Sequence, residues 1–454
     1  MADSARAAGA RQGQGNKCQG LWPGEGAFFL KAAGRERVLL VVLDGLGDQA
    51  LEALGGRTPL QVARTPQLDH LALLGGGGSY HPGRRGVAYF SDLAFFMAMG
   101  YFQGEFPGRG ILGGYAAGLS VSPEEVYVLA SLASLEESCP DGPVLVERGG
   151  DLDSEEWEEA LEILSYPWHG SGLEITFHPL EVGIGILRLE GEVDPRITDS
   201  DPSHRGGRIY KVMPRNEGGD LASYTAGELN RYLDEVACRL KEAPFNARRI
   251  KEGKNPMNAL LVQGAGKDRS LPFLKERWGF DGALVASEPF ILGIGKKLGM
   301  TVIGVGEGSP KKELLVKFKE ALPLLETYSL VVIHTRAPKL ASRRHNPWEK
   351  VKVVEELDGA FFYLLEHLVP REERLLVVWG GSSTSTGGPY LYSGDPSPLL
   401  MVGPRVRRGP SLKFDEPSLA YGSIGFLRRE ELMVSILSHS RRAPLWGRHP
   451  VLQA

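Results

Sequence analysis

Six aliphatic residues in a row, Val38–Leu43 (VLLVVL), run without a break into Asp44-Gly45-Leu46-Gly47-Asp48. A strand with no polar alternation has to be buried on both faces, and sheets covered on both faces are built from parallel strands joined by helices. The rest of the chain repeats this arrangement. Leu260–Val262, Val302–Val305, Leu330–His334, Leu375–Trp379 and Leu399–Val402 read as further core strands, with helical periodicity between them over Lys311–Leu325 and Trp348–Leu368. In such a sheet ligands collect at the carboxyl ends of the strands, so chemistry is to be sought in the residues just after each run. One stretch breaks the alternation. An acidic helix over Ser154–Leu164, strand-like alternation over Leu180–Leu189 and a long helix over Thr225–Lys241 sit side by side, so residues 115–257 read as a domain inserted into an α/β core made of 37–114 and 258–440.

Composition narrows the function classes. The chain carries 52 Lys plus Arg against 56 Asp plus Glu, a net charge of −4, which leaves no basic footprint for nucleic acid and no reason to expect a membrane surface. No apolar run approaches the ~18 residues that span a bilayer. Cys18, Cys139 and Cys238 are too scattered for a disulfide framework or a thiolate metal site, and read as reduced thiols in a cytoplasm. Residues 1–36 read as a disordered arm and 441–454 as a tail. Gly108-Arg109-Gly110-Ile111-Leu112-Gly113 matches G-x-G-x-x-G, but no strand precedes it, so it is no dinucleotide loop. Gly293-Ile294-Gly295-Lys296-Lys297 lacks the outer residues of a P-loop, and Gly380–Gly388 reads as a flexible surface loop.

Taken together, the residues after the strands resemble a known family. Val38–Gly75 is similar to the opening of the archaeal-type 2,3-bisphosphoglycerate-independent phosphoglycerate mutases, of the alkaline phosphatase superfamily. Further matches follow in the family's order: Ser91-Asp92, Gly100-Tyr101, Gly108-Arg109-Gly110, Ala117-Gly118, Asp199-Ser200-Asp201-Pro202, Asn246-x-x-Arg249 and Gly264-Ala265-Gly266. Ser393-Gly394-Asp395-Pro396-x-Pro398 and Gly422-Ser423-Ile424-Gly425 close the series. The resemblance implies an alkaline-phosphatase-like α/β core with a mainly parallel sheet and one inserted α+β domain. It implies a glycolytic isomerase that moves phosphate between the 3- and 2-positions of phosphoglycerate through a phosphoserine, with two divalent metals (Mn, Zn or Mg) flanking the serine.

The same resemblance exposes a loss. Of the implied ligands, Asp44 and Ser91 remain, with Ser91 also the implied nucleophile. The Asp and His of D-x-x-x-H fall on Lys339 and Arg343, an Asp-His pair falls on Gly381 and Ser382, and a last His falls on Tyr392. A pocket with one carboxylate and two added cations is expected to hold at most one weakly bound metal, or none. Asp44 then reads either as a ligand or as a turn cap, and Ser91 either as a nucleophile or as a helix N-cap. Lys339 and Arg343 read either as an anion site or as a solvated face. The resemblance also assigns substrate handling to Asp201, His204, Asn246, Arg249 and Arg336. The expectation is a pseudoenzyme-like member with absent or weak mutase activity. The alternative is a non-catalytic module that binds a phosphorylated metabolite, another anion or a partner protein.

Overall fold

The structure, a computed structural model, describes residues 36–443 except 150, 203, 369–372, 389 and 412. The expected arm up to residue 35 and the tail from 444 onward lie outside the described residues.

Fourteen strands are described: β1 Arg37–Leu43, β2 Gly76–His81, β3 Val126–Glu136, β4 Val144–Arg148, β5 Trp168–His169, β6 Leu173–Glu181, β7 Ile184–Gly191, β8 Ala259–Gly266, β9 Gly282–Ala286, β10 Thr301–Gly304, β11 Leu330–Thr335, β12 Arg374–Trp379, β13 Ser397–Val402 and β14 Gly425–Arg428. Eight form a mainly parallel sheet in the order β10-β9-β11-β1-β12-β13-β2-β14. Only the β12–β13 and β13–β2 pairings are antiparallel. β1 lies between β11 and β12, in register Val38↔Leu330 and Val38↔Leu375. Its unbroken apolar run now has a cause. Val38, Leu40 and Val42 enter one core cluster while Leu39, Val41 and Leu43 enter the other, so both pleat faces are covered. Helices Pro310–Leu324 and Pro347–His367 cover one of these faces, close to the spans read from sequence.

The remaining six strands form a second sheet, β4-β3-β7-β6-β5 with β8 paired to β3, and every pairing in it is antiparallel. Helices Ser154–Leu164 and Gly219–Glu242 pack against it through residues such as Ala160, Leu164, Leu229 and Val236. The sequence reading needs one correction here. Leu260–Val262 belongs to β8 and pairs with Ala130–Leu132, so the inserted sheet extends to Gly266 and the first domain's strands resume at Gly282. A short aliphatic run looks the same in either sheet; its pairing partner decides where it goes.

Two further expectations change. Gly380–Gly388 is not a surface loop: residues 380–386 are buried against the turn that follows β1, with Thr384 N–H donating to Gly47 O at 3.0 Å. Gly108–Gly113 opens the helix Arg109–Ala116 after the short turn Gln103–Glu105, with no strand before it, in agreement with its rejection as a cofactor loop. Among the described residues, no helix is long and apolar enough to cross a membrane.

Candidate active site

Neighbouring strands bring their carboxyl ends together, and three in the order β9-β11-β1 deliver the central side chains. Asp44 follows β1, His334 is the penultimate residue of β11, and Glu288 lies two residues beyond β9, just before the helix Pro289–Lys297. All three are buried. A carboxylate oxygen from each acid and an imidazole nitrogen lie within 4.8 Å of one another.

The chain then crosses this cluster with a lysine. Gly45, at φ +86°, turns β1 so tightly that a Cβ there would sit 2.6 Å from the backbone N and Cα of Lys339; only glycine allows the approach. Lys339 N–H donates to Asp44 O at 3.0 Å, which fixes the helix Ala337–Ser342 over the strand end. The Lys339 ammonium lies 3.0 Å from Asp44 Oδ2 and 3.0 and 3.1 Å from the two Glu288 oxygens. Burial opposes its charge, but Asp44 and Glu288 outweigh burial and raise its pKa. Burial likewise opposes the Glu288 charge, yet Lys339, His334 and Arg336 bring its carboxyl down to about 2. His334 goes the other way. Burial lowers its imidazole to about 4 against the pull of Asp44 and Glu288, so the ring is neutral near pH 7. Its Nε2 is 3.9 Å from Asp44 Oδ2, its ring packs edge-on to Phe95, and neither ring nitrogen has a hydrogen-bond partner.

A second buried ammonium braces the layer beneath. Lys350 Nζ donates to Asp48 Oδ2 at 3.0 Å, Thr384 O at 2.9 Å and Gly47 O at 3.2 Å; burial lowers its pKa against the pull of Asp48. A third, Lys317, holds the His334 carbonyl at 2.8 Å and pairs with Glu313.

Ser91 is the first residue of the helix Ser91–Ala98, whose N-cap is Phe90, so it caps nothing. Its hydroxyl is buried and has no hydrogen-bond partner. Asp92 beside it accepts from Arg109 Nε at 2.6 Å and from the same guanidinium at 3.3 Å. Ser382 N–H donates to Asp44 Oδ1 at 3.1 Å. Gly381 adopts φ +64°, where a Cβ would lie 2.5 Å from Asp44 Cα and 2.6 Å from Asp44 Oδ1. Tyr392 packs edge-on to Phe90 at 5.5 Å.

Several sequence assignments are corrected by these contacts. Lys339 and Arg343 do not form an anion site: the first is locked between two carboxylates, the second is exposed at the end of its helix. Arg336 is held by Glu307 and by Glu181 of β6 at 3.1 Å, so its charge is already countered across the two domains. Asn246 and Arg249 are framework residues. The Asn246 amide donates to Leu240 O and Met257 O and accepts from Met257 N–H at 2.7, 2.9 and 2.7 Å. Every nitrogen of the buried Arg249 guanidinium is engaged, with Asn255 O, Glu156 and Asp151 at 2.8, 2.8 and 3.2 Å. Asp201 pairs with Arg148 and lies 3.4 Å from the Gln263 amide, while His204 is exposed and bonds the Pro202 carbonyl. The sequence reading missed Glu288 and His334. Their one legible signal was position at or just after a strand end.

The sequence profile of the 2,3-bisphosphoglycerate-independent phosphoglycerate mutases matches residues 72–246. A relative of that name from Methanocaldococcus jannaschii, numbered 2, is 32% identical over 90% of this chain and 95% of its own length. Among solved structures, a Pyrococcus horikoshii protein superposes with a TM-score of 0.75 at 26% identity, covering 92% of this chain and 100% of its own. The cofactor-independent phosphoglycerate mutase of Thermoplasma acidophilum gives 0.57 at 27%, covering 89% and 100%.

Proposed function

The chain belongs to the 2,3-bisphosphoglycerate-independent phosphoglycerate mutase family, and from that premise we propose that it is a diverged member in which transfer between 3- and 2-phosphoglycerate is absent or very weak. The observation that carries this reading is the Lys339 ammonium, buried within 3.0 Å of both Asp44 and Glu288. A dimetal phosphoryl-transfer centre places several positive charges against the nucleophile and the phosphoryl oxygens. Here the first carboxylate of that set is neutralised by a side chain. A divalent ion in the same place would meet a like charge at contact distance in a low-dielectric pocket. The residues present therefore do not fit the family's metal pair.

Among the described residues, the nucleophile has no other activator. A serine hydroxyl attacks only when a base, a metal or a lowered pKa assists it. Ser91 donates to nothing, the cation nearest Asp44 is a fully protonated ammonium, and His334 is too weak a base near pH 7 to take a proton efficiently. Gly381 supports the same reading, because the loop has closed onto Asp44 where an aspartate ligand is implied. The competing expectation of an anion-binding module draws no support from Lys339 and Arg343.

The test is a coupled assay of 3- to 2-phosphoglycerate conversion with Mn²⁺, Zn²⁺ or Mg²⁺, beside an intact family member. Conversion at background level is expected. Metal-dependent turnover of about 1 s⁻¹ or more, within the ordinary enzyme range, would overturn the reading.

A further inference from the structure

We propose that Asp44, Glu288 and His334 form a site for one divalent ion that the chain keeps filled with its own Lys339 ammonium, so that removing this side chain opens it to metal. The inference deepens the proposed function, and rests on it only in taking these strand ends as the family's reaction centre. Of the three donors, Asp44 alone belongs to the ligand set that the resemblance implies; Glu288 and His334 are additional.

Three features point to an ion site and not to a chance group of charges. Two buried carboxylates and one buried imidazole converge within 4.8 Å; carboxylate oxygen and imidazole nitrogen are both zinc donors, and three protein donors leave a fourth position for water. His334 is 1% exposed and neither ring nitrogen has a partner, although buried polar groups are almost always paired. Finally, a cation already stands among the donors. The ammonium contacts are 3.0 and 3.1 Å, whereas carboxylate–zinc bonds are ~2.0–2.2 Å. The pocket is therefore sized for an ammonium and has to contract by about 1 Å to grip a metal.

The experiment compares the wild type with Lys339→Ala and Lys339→Met after equilibration with Zn²⁺ or Co²⁺ and gel filtration. Metal is read by elemental analysis, Co²⁺ geometry by visible absorption, and folding by circular dichroism. The wild type should retain no stoichiometric metal, and its melting midpoint should not move when metal is added. Lys339→Ala should retain about one ion per chain with the absorption of a four-coordinate site. Adding Glu288→Gln or His334→Ala to that variant should release the ion. A variant that folds only when metal is present supports the site equally, by linkage. The proposal is overturned if the wild type holds a tight ion, if Lys339→Ala folds yet binds no better than the wild type, if both variants stay unfolded with metal present, or if the Glu288 and His334 changes leave binding intact. Turnover is not read. A wild type that proved an active mutase would sink the proposed function, and would leave this inference standing if that activity came without bound metal.

Discussion

Replacing Lys339 by methionine preserves most of the volume and removes only the charge, leaving Asp44 and Glu288 as an uncompensated buried pair. Breaking a buried ion pair from one side costs about 3–5 kcal/mol. The cost has a definite pH course. In the folded wild type Glu288 titrates at about 2, below its ordinary 4.5, so its contribution is fully present above pH 4.5 and disappears as pH falls toward 2. Urea unfolding of Lys339→Met should therefore show its largest deficit above pH 5 and a shrinking one below pH 4. Glu416 carries the opposite sign. Burial raises its carboxyl to about 7, with Thr58 donating to one oxygen and the other unpartnered. A raised carboxyl binds its proton more tightly when folded, so its stabilisation is complete below the unfolded value of 4.5 and is lost as pH rises through 7. Glu416→Gln should match the wild type near pH 4. By pH 8 it should exceed the wild type, by up to about 3 kcal/mol at the usual value per pKa unit.

At the scale of elements, the loop 380–388 and the turn after β1 have been fitted to each other. Gly381→Asp, which restores a carboxylate where the resemblance implies one, would place a Cβ inside Asp44 at a left-handed φ of +64°. It should lower stability by more than about 2 kcal/mol and bring no metal, as melting with and without Mn²⁺ would reveal. The strands of the parallel sheet were legible because an aliphatic run declares burial on two faces, as Val38–Leu43 does. Leu260–Val262 was misplaced because the same run fits an antiparallel pair with β3, and pairing is set by the rest of the chain. Glu288 was hidden for a related reason. The short strand β9 is made of Gly282-Ala283-Leu284-Val285-Ala286, too small-featured to flag the residue that follows it. Lys339 itself is legible as a cation in place of a ligand, but the sequence leaves its partner open between an outside anion and solvent, because nothing in it points to Glu288. Asn246 and Arg249 show the reverse error: a family motif drew attention to them, whereas their neighbours Met257, Glu156 and Asp151 make them framework.

Across the whole molecule, the two sheets are joined electrostatically by Arg336. It leaves the end of β11 and reaches Glu181 at the end of β6, with Glu307 on its other side. Burial opposes its charge, but Glu288, Glu181 and Glu307 hold its pKa up, so the clasp persists through the ordinary pH range. A partly exposed pair of this kind is worth about 1 kcal/mol or less. Arg336→Ala should thus barely change the melting midpoint, while amide exchange around the β6–β7 turn, residues 180–185, should quicken. Unchanged exchange there would mean that other contacts set the domain arrangement. A counter-ion carried on the chain also changes what the molecule requires of its surroundings. A diffusible metal can be withheld by scarcity, stripped by a competing ligand, or displaced by whichever ion stands higher in the affinity order. An ammonium supplied by Lys339 is present in every copy at fixed stoichiometry as soon as the backbone folds, and it cannot be mistaken for another element. The positive charge that Lys339 sets between Asp44 and Glu288 is written into the gene itself.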